Sequence, residues 1–134
     1  MINPNFLSIE DVLFFHSEEM KLSVVNPEIR DINLLHSAID APKATFAGKF
    51  LMNIFEMAAT YVNSICFNHP FLDGNKRVAA ISALVFLDIN GYNFNEKYDE
   101  ELADIILKLV THKITKQDLA SYFKQRCKRK NSRR

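Results

Sequence analysis

The chain turns on His69-Pro70-Phe71-Leu72-Asp73-Gly74-Asn75-Lys76-Arg77. Upstream of it, Phe50 to Phe67 is apolar at helical spacing; downstream, Val78 to Leu87 is apolar on almost every side. A histidine, an aspartate, an asparagine and two cations thus stand between two segments that leave water on folding. A polar island in that position is expected to be an active site. Pro70 disfavours the right-handed helical conformation at the residue before it, which puts His69 on a turn. A helix is expected from Gly74 to Ile89, closed by Asn90-Gly91. Its middle, VAAISALVFL, has no polar face, so it is expected to be buried all round and central to the fold.

Working outward, Phe50, Leu51, Ile54, Phe55, Met57, Ala58, Tyr61, Val62 and Ile65 predict a long helix over Lys49 to Phe67. Ala41 to Gly48 is a loop with a brief extended piece around Thr45-Phe46-Ala47. Ser8 with Asp11 starts a helix that runs to about Lys21. Val12, Leu13, Phe15, Met20 and Leu22 form its apolar face, and His16, Glu18 and Glu19 its wet side. Asn26-Pro27 ends that stretch. Ile29, Ile32, Leu34, Leu35 and Ile39 predict a short second helix that stops before Pro42. Tyr92, Phe94 and Tyr98 lie in a loop over the core. Asp99 to Lys113 is a helix with Leu102, Ile105, Ile106, Leu109 and Val110 inward. Thr115 and Asp118 make a capping box for a last helix anchored by Leu119, Tyr122 and Phe123. The fold class is all-α, with about six helices around one buried helix and a short flap loop.

The bulk numbers agree with one helical domain. The chain has 134 residues, 48% of them hydrophobic, with three glycines and four prolines. The formal charge of +1 hides an asymmetry: seven of the seventeen Lys and Arg lie between Lys124 and Arg134. The expected organisation is a domain over residues 1–123 and a basic tail over 124–134, the tail a solvated terminus or a contact for nucleic acid or an acidic protein. Without the tail, ten basic residues face sixteen acidic ones, a poor surface for phosphates, so nucleic acid is excluded except through the tail. The two cysteines, Cys66 and Cys127, form no disulfide framework, and a reducing cytoplasm is expected. No run reaches the roughly 18 apolar residues of a membrane span, and the N-terminus lacks the basic n-region of a signal peptide.

The chemistry follows from the helix start at Gly74. Unpaired N–H groups and the positive dipole end make an anion site there. Gly74 removes a Cβ from the path of a phosphate. Asn75 adds an amide donor, Lys76 a point charge and Arg77 a bidentate clamp. Asp73 is placed to hold Mg²⁺, or to cap the helix. His69 is an imidazole suited to general-base work. Together these groups suggest phosphoryl or nucleotidyl transfer. Phe71 is expected to plug the core. Cys66 is read as a core cysteine rather than a nucleophile, and His16, His36 and His112 as surface or satisfied residues.

The same nine residues resemble the Fic motif, His-x-Phe-x-(Asp/Glu)-Gly-Asn-Gly-Arg-x-x-Arg, and within that family the Doc toxins, which carry Lys at the place of the second Gly. Helix lengths, the short second helix near Ala41-Pro42 and the run into Asn90-Gly91 extend the likeness over most of the chain. The resemblance implies a Fic/Doc fold, ATP and Mg²⁺ as cofactors, and His69 as the base that activates a target hydroxyl. It assigns the metal to Asp73, the anion hole to Gly74, Asn75 and Lys76, with the Asn75 side chain also donating, and the nucleotide phosphates to Arg77. Lys43, Ala44, Thr45, Phe46 and Ala47 match the flap that docks a target peptide as an added strand. Two departures from the AMP-transferring pattern, Lys76 and Ala80, favour transfer of the γ-phosphate over transfer of AMP. The implied function is a toxin kinase that modifies elongation factor Tu and arrests translation in the cytoplasm. The alternatives are an adenylyltransferase and an inactive Fic-like binding module. No Ser or Thr has Glu four residues on, so the self-inhibiting helix of many Fic proteins is absent, and a separate antitoxin is the expected partner.

Overall fold

The computed structural model describes residues 3–21 and 28–130. Leu22, Asn26-Pro27 and the last four residues lie outside the described residues. Among the described residues there are six α-helices: α1 (Ile9–Lys21), α2 (Ile32–Asp40), α3 (Ile54–Asn68), α4 (Asn75–Ile89), α5 (Asp99–Val110) and α6 (Lys116–Arg126). Two small antiparallel pairs accompany them, β1 (Thr45–Phe46) with β2 (Lys49–Phe50) and β3 (Tyr92–Asn93) with β4 (Lys128–Arg129). The fold is all-α, as its apolar periodicity requires.

Capping residues set the helix boundaries. The Ser8 amide donates to Asp11 and the Asp11 amide to Ser8 Oγ (2.9 and 3.1 Å), which starts α1 at Ile9. Asp31 caps α2 through its carboxylate, which accepts from the Asn33 and Leu34 amides. Asn53 and Glu56 form a capping box for α3, and Thr115 and Asp118 one for α6. Each such cap contributes about 1 kcal/mol.

The Asn53 box corrects one expectation: α3 begins at Ile54, not Lys49. Lys49 and Phe50 instead form the second strand of a hairpin, in register Thr45 with Phe50 and Phe46 with Lys49. The two linking residues, Ala47 and Gly48, both have positive φ (52° and 78°). That is the turn whose twist suits a two-residue hairpin. Leu51 is therefore 62% exposed rather than core. Likewise α5 stops at Val110 rather than Lys113, with His112 left-handed (φ 62°) beyond it.

The core also shifts the expected centre. α3 is the innermost helix: Met57, Ala58, Ala59, Thr60, Tyr61, Val62 and Ile65 are all buried. It packs against α2, α4, α5 and α6, and Ala58 and Ala59 permit the close approach. α4 was expected to be buried all round, but Ala80, Ile81 and Leu84 are only half-buried and line a groove toward α5.

The expected domain boundary at residue 123 falls inside α6. Through Lys130 the basic segment is docked. Arg126 pairs with Glu101 (2.7 Å), β4 pairs with β3, and Lys130 bonds Gly91 O through its amide (2.8 Å) and Asp88 through its ammonium (2.6 Å). Phe94 packs among Tyr98, Tyr122 and Phe123, so the loop after α4 does cover the core.

Candidate active site

α3 ends at Asn68, and His69 follows in the left-handed region (φ 51°, ψ 55°), its amide still donating to Ile65 O (3.1 Å). A non-glycine residue there is strained, more so before a proline. The conformation is held by a segment 39 residues earlier in the chain. Arg30 donates from Nε to His69 O (2.7 Å) and from Nη2 to Asn68 O (2.8 Å). The Arg30 and Asp31 amides both donate to Pro70 O (2.7 and 3.0 Å), the Leu72 amide donates to Glu28 O (3.1 Å), and Ile29 bridges Phe71. One guanidinium thus satisfies two carbonyls that the end of α3 leaves orphaned.

Inside the turn, Asn75 ties the loop to the helix. Its Oδ1 accepts from the Phe71 amide (3.1 Å), and its Nδ2 donates to Phe71 O (2.9 Å) and lies 3.1 Å from His69 Nδ1. The two Phe71 bonds orient the amide, and its nitrogen can only donate. His69 Nδ1 is therefore an acceptor, and the neutral ring carries its proton on Nε2. A base working through Nε2 needs that proton moved first. Both Nδ2 protons are engaged here, so the side-chain donation to an anion that the resemblance implies requires Nδ2 to leave one of these partners.

The floor of the loop is built by α1. Phe71 is fully buried, as expected of a plug, and stacks on His16 at 3.8 Å with the rings 7° apart. His16 Nε2 donates to Asp73 O (2.9 Å). His16 is only 3% exposed, which corrects its placement on the wet side of α1. The signal was present: Val12, His16 and Met20 recur every four residues and are the three buried positions of α1.

Gly74 is the N-cap of α4 at φ 85° and supplies no capping side chain. A Cβ there would lie 2.6 Å from Met20 Cε. The glycine is thus required by backbone conformation and faces α1; it does not clear the path of a phosphate. The Gly74 cap has no side chain to offer the first-turn N–H groups of α4, and the positive dipole end of such a helix can attract an anion.

One cleft of about 540 Å³ gathers His69, Asp73, Gly74, Asn75, Lys76 and Arg77, together with Cys66, Phe67, Leu72 and Val110. The flap residues Lys43, Ala44, Thr45, Phe46 and Ala47 are not among its walls. They form the end of a 3₁₀ turn and the exposed hairpin, where Phe46 is 76% exposed. Burial pushes the Cys66 thiol up to about 12, the nearby Lys76 charge opposing only in part. That leaves it protonated and no nucleophile.

Among the described residues no group of three or more His, Cys, Asp or Glu side chains gathers as a metal cage. Asp73, at the start of α4, could supply one carboxylate to Mg²⁺, which takes one or two carboxylates and completes its shell with phosphate oxygens and water. No described helix is long and apolar enough to cross a membrane.

Sequence reasoning missed Arg30, which carries no local motif.

A profile of the Fic/DOC family matches residues 6–87. The chain is 34% identical over 84 residues to "Toxin Doc" of Mycolicibacterium smegmatis, covering 62% of this chain and 65% of that protein, just under two thirds of its length. It is 30% identical over 114 residues to "Protein kinase doc" of Escherichia phage P1, covering 85% of this chain and 89% of that protein. The His69 to Arg77 turn, the helix it opens and these matches over most of the chain place the protein in the Fic/Doc family, on its Doc side.

Proposed function

We propose that this protein is a Doc-type toxin that transfers the γ-phosphate of ATP to a hydroxyl of a target protein. The observation that carries the reading is the cleft itself: an uncapped helix end with Lys76 and Arg77 on its first turn, an imidazole in front of it and a carboxylate beside it. The kinase version is favoured by Lys76 and Ala80, which replace the second Gly and second Arg of the AMP-transferring motif, and by the relative named a protein kinase.

In this reading the triphosphate lies on the α4 N-terminus, held by its N–H groups and by Arg77. Asp73 would hold Mg²⁺, which would neutralise phosphate charge when bound. His69 takes the proton of the target hydroxyl as its oxygen attacks the γ-phosphorus. The bond to the β–γ bridging oxygen breaks, and ADP leaves. Substrate closure has to displace Asn75 Nδ2 from His69 or shift the ring proton, because the lone pair starts on Nδ1. The flap hairpin adds the target as a strand on its open edge. Elongation factor Tu is the proposed target, with translation arrest in the cytoplasm as the outcome.

A separate antitoxin is the proposed regulator. The groove between α4 and α5 suits an amphipathic helix: Ala80, Ile81, Leu84 and Leu107 offer apolar contact, Glu19, Asp99 and Asp104 offer carboxylates to basic residues, and Lys76 and Arg77 offer cations to acidic ones.

The test is incubation with ATP labelled at α or at γ, with elongation factor Tu and with cell lysate. Label from γ is expected, lost in His69→Ala along with growth arrest. Label from α would establish the adenylyltransferase instead. An unchanged phenotype in His69→Ala and Arg77→Ala would leave a binding module without catalysis.

A further inference from the structure

Phe67 is the penultimate residue of α3, two before His69, and it is 45% exposed where the rest of that helix's large apolar residues pack on the core. The His112 imidazole covers it at a ring separation of 5.4 Å, with the planes 26° apart. His112 is fixed in its left-handed position just past α5, its amide donating to Leu109 O (3.0 Å). Phe67 lines the catalytic cleft, whereas His112 lines only a neighbouring hollow. Phe67 also lines that hollow, so it stands between the cleft and His112.

The cleft has two kinds of wall. Asn75, Lys76 and Arg77 supply N–H donors and cations; Cys66, Phe67, Leu72 and Val110 are its apolar lining. Its volume of about 540 Å³ falls in the ordinary range for small-molecule sites. A ligand that complements both carries phosphates and a flat π surface. The apolar residues offer no amide, carboxylate or hydroxyl side chain to read the edge of a base. The protonated Cys66 thiol is a weak donor only.

We propose that Phe67, backed by His112, is the stacking platform for the purine base of the nucleotide whose phosphates rest on the α4 N-terminus. The proposal depends on the nucleotide-dependent reading above. Stacking is sequence-tolerant because every base has a π face, and purines offer the larger one. The site consequently takes purine nucleoside triphosphates as a class, ATP and GTP alike.

The chain has no tryptophan, so Phe67→Trp places a single indole in the cleft of the full-length protein. ATP and GTP with Mg²⁺ are expected to quench it, and inorganic tripolyphosphate with Mg²⁺ is not. By calorimetry, Phe67→Ala is expected to bind ATP roughly tenfold or more weakly, with tripolyphosphate binding unchanged and helical circular dichroism retained; His112→Ala shows a smaller loss. Quenching by tripolyphosphate equal to that by ATP, or wild-type ATP affinity in Phe67→Ala, overturns the platform and leaves the nucleotide reading standing. GTP binding more than tenfold below ATP overturns recognition by stacking alone. A wild-type protein that binds neither ATP nor tripolyphosphate overturns both.

Discussion

Arg30 donates to the main-chain carbonyl of His69 at 2.7 Å while its second nitrogen reaches the carbonyl of Asn68 at 2.8 Å. The backbone of the proposed base is thus held by a side chain from another part of the chain. Replacing Arg30 by Ala leaves two carbonyls without their donor and frees a strained residue to relax. The expected result is a loss of kcat of roughly tenfold or more, little change in KM for ATP, and a stability loss of about 1–3 kcal/mol. Arg30→Lys is expected to recover little, because one ammonium cannot reproduce the planar two-nitrogen fork. Steady-state kinetics with urea melts measures both effects; a matched rise in KM would place Arg30 in nucleotide binding instead.

Gly74 separates two explanations of one residue. A Cβ at this position meets the flexible end of Met20 (2.6 Å), which can swing away, but φ 85° cannot be adjusted without moving α4. Gly74→Ala is therefore expected to cost about 1–2 kcal/mol through the backbone. Trimming Met20 to Ala in the same chain is not expected to recover it. Denaturant midpoints of the two single variants and the double variant decide between backbone and clash.

The Glu101 carboxyl is held below its usual range by the hydrogen bond from Arg126, then by that from the Tyr122 hydroxyl. A carboxyl depressed in the folded state stabilises the fold above its unfolded value, about 4.3, and loses that contribution as pH falls through the folded value. Thermal melts from pH 7 to pH 3 are expected to show an acid loss of stability that is smaller in Glu101→Gln. Equal slopes would mean that the α5–α6 contact does not contribute.

Cys66 borders the cleft, yet its thiol is pushed up to about 12 by burial, and Cys127 to about 11. Iodoacetamide at pH 7.5 is expected to modify neither at an appreciable rate in the folded protein, and both after denaturation, with activity retained by Cys66→Ala. Rapid native labelling of Cys66 accompanied by inactivation would reopen the cysteine as a reactive group. Mass spectrometry of the alkylated peptides resolves the two sites.

The caps and polar motif were legible in the chain because each acts over a few residues. Ser8 with Asp11, Thr115 with Asp118 and the turn at His69 are where local hydrogen bonding requires them. The extended piece at Thr45-Phe46 is legible too, but its pairing with Lys49-Phe50 is not, because the apolar spacing of residues 49–53 fits a backward extension of α3 equally well. His16 was legible in principle from its four-residue spacing to Val12 and Met20, and was misplaced because polarity outweighed periodicity.

By itself the sequence determined the helical fold, because apolar spacing and caps are short-range. It also determined the residues of the anion-binding turn, because one nine-residue stretch contains them. Tertiary structure alone decided what holds that turn. Arg30 reaches His69 and Asn68, His16 stacks under Phe71, and Phe67 of α3 meets His112 from the turn after α5. These contacts join positions 38 to 55 residues apart, and packing of whole helices, rather than any local preference, brings them together.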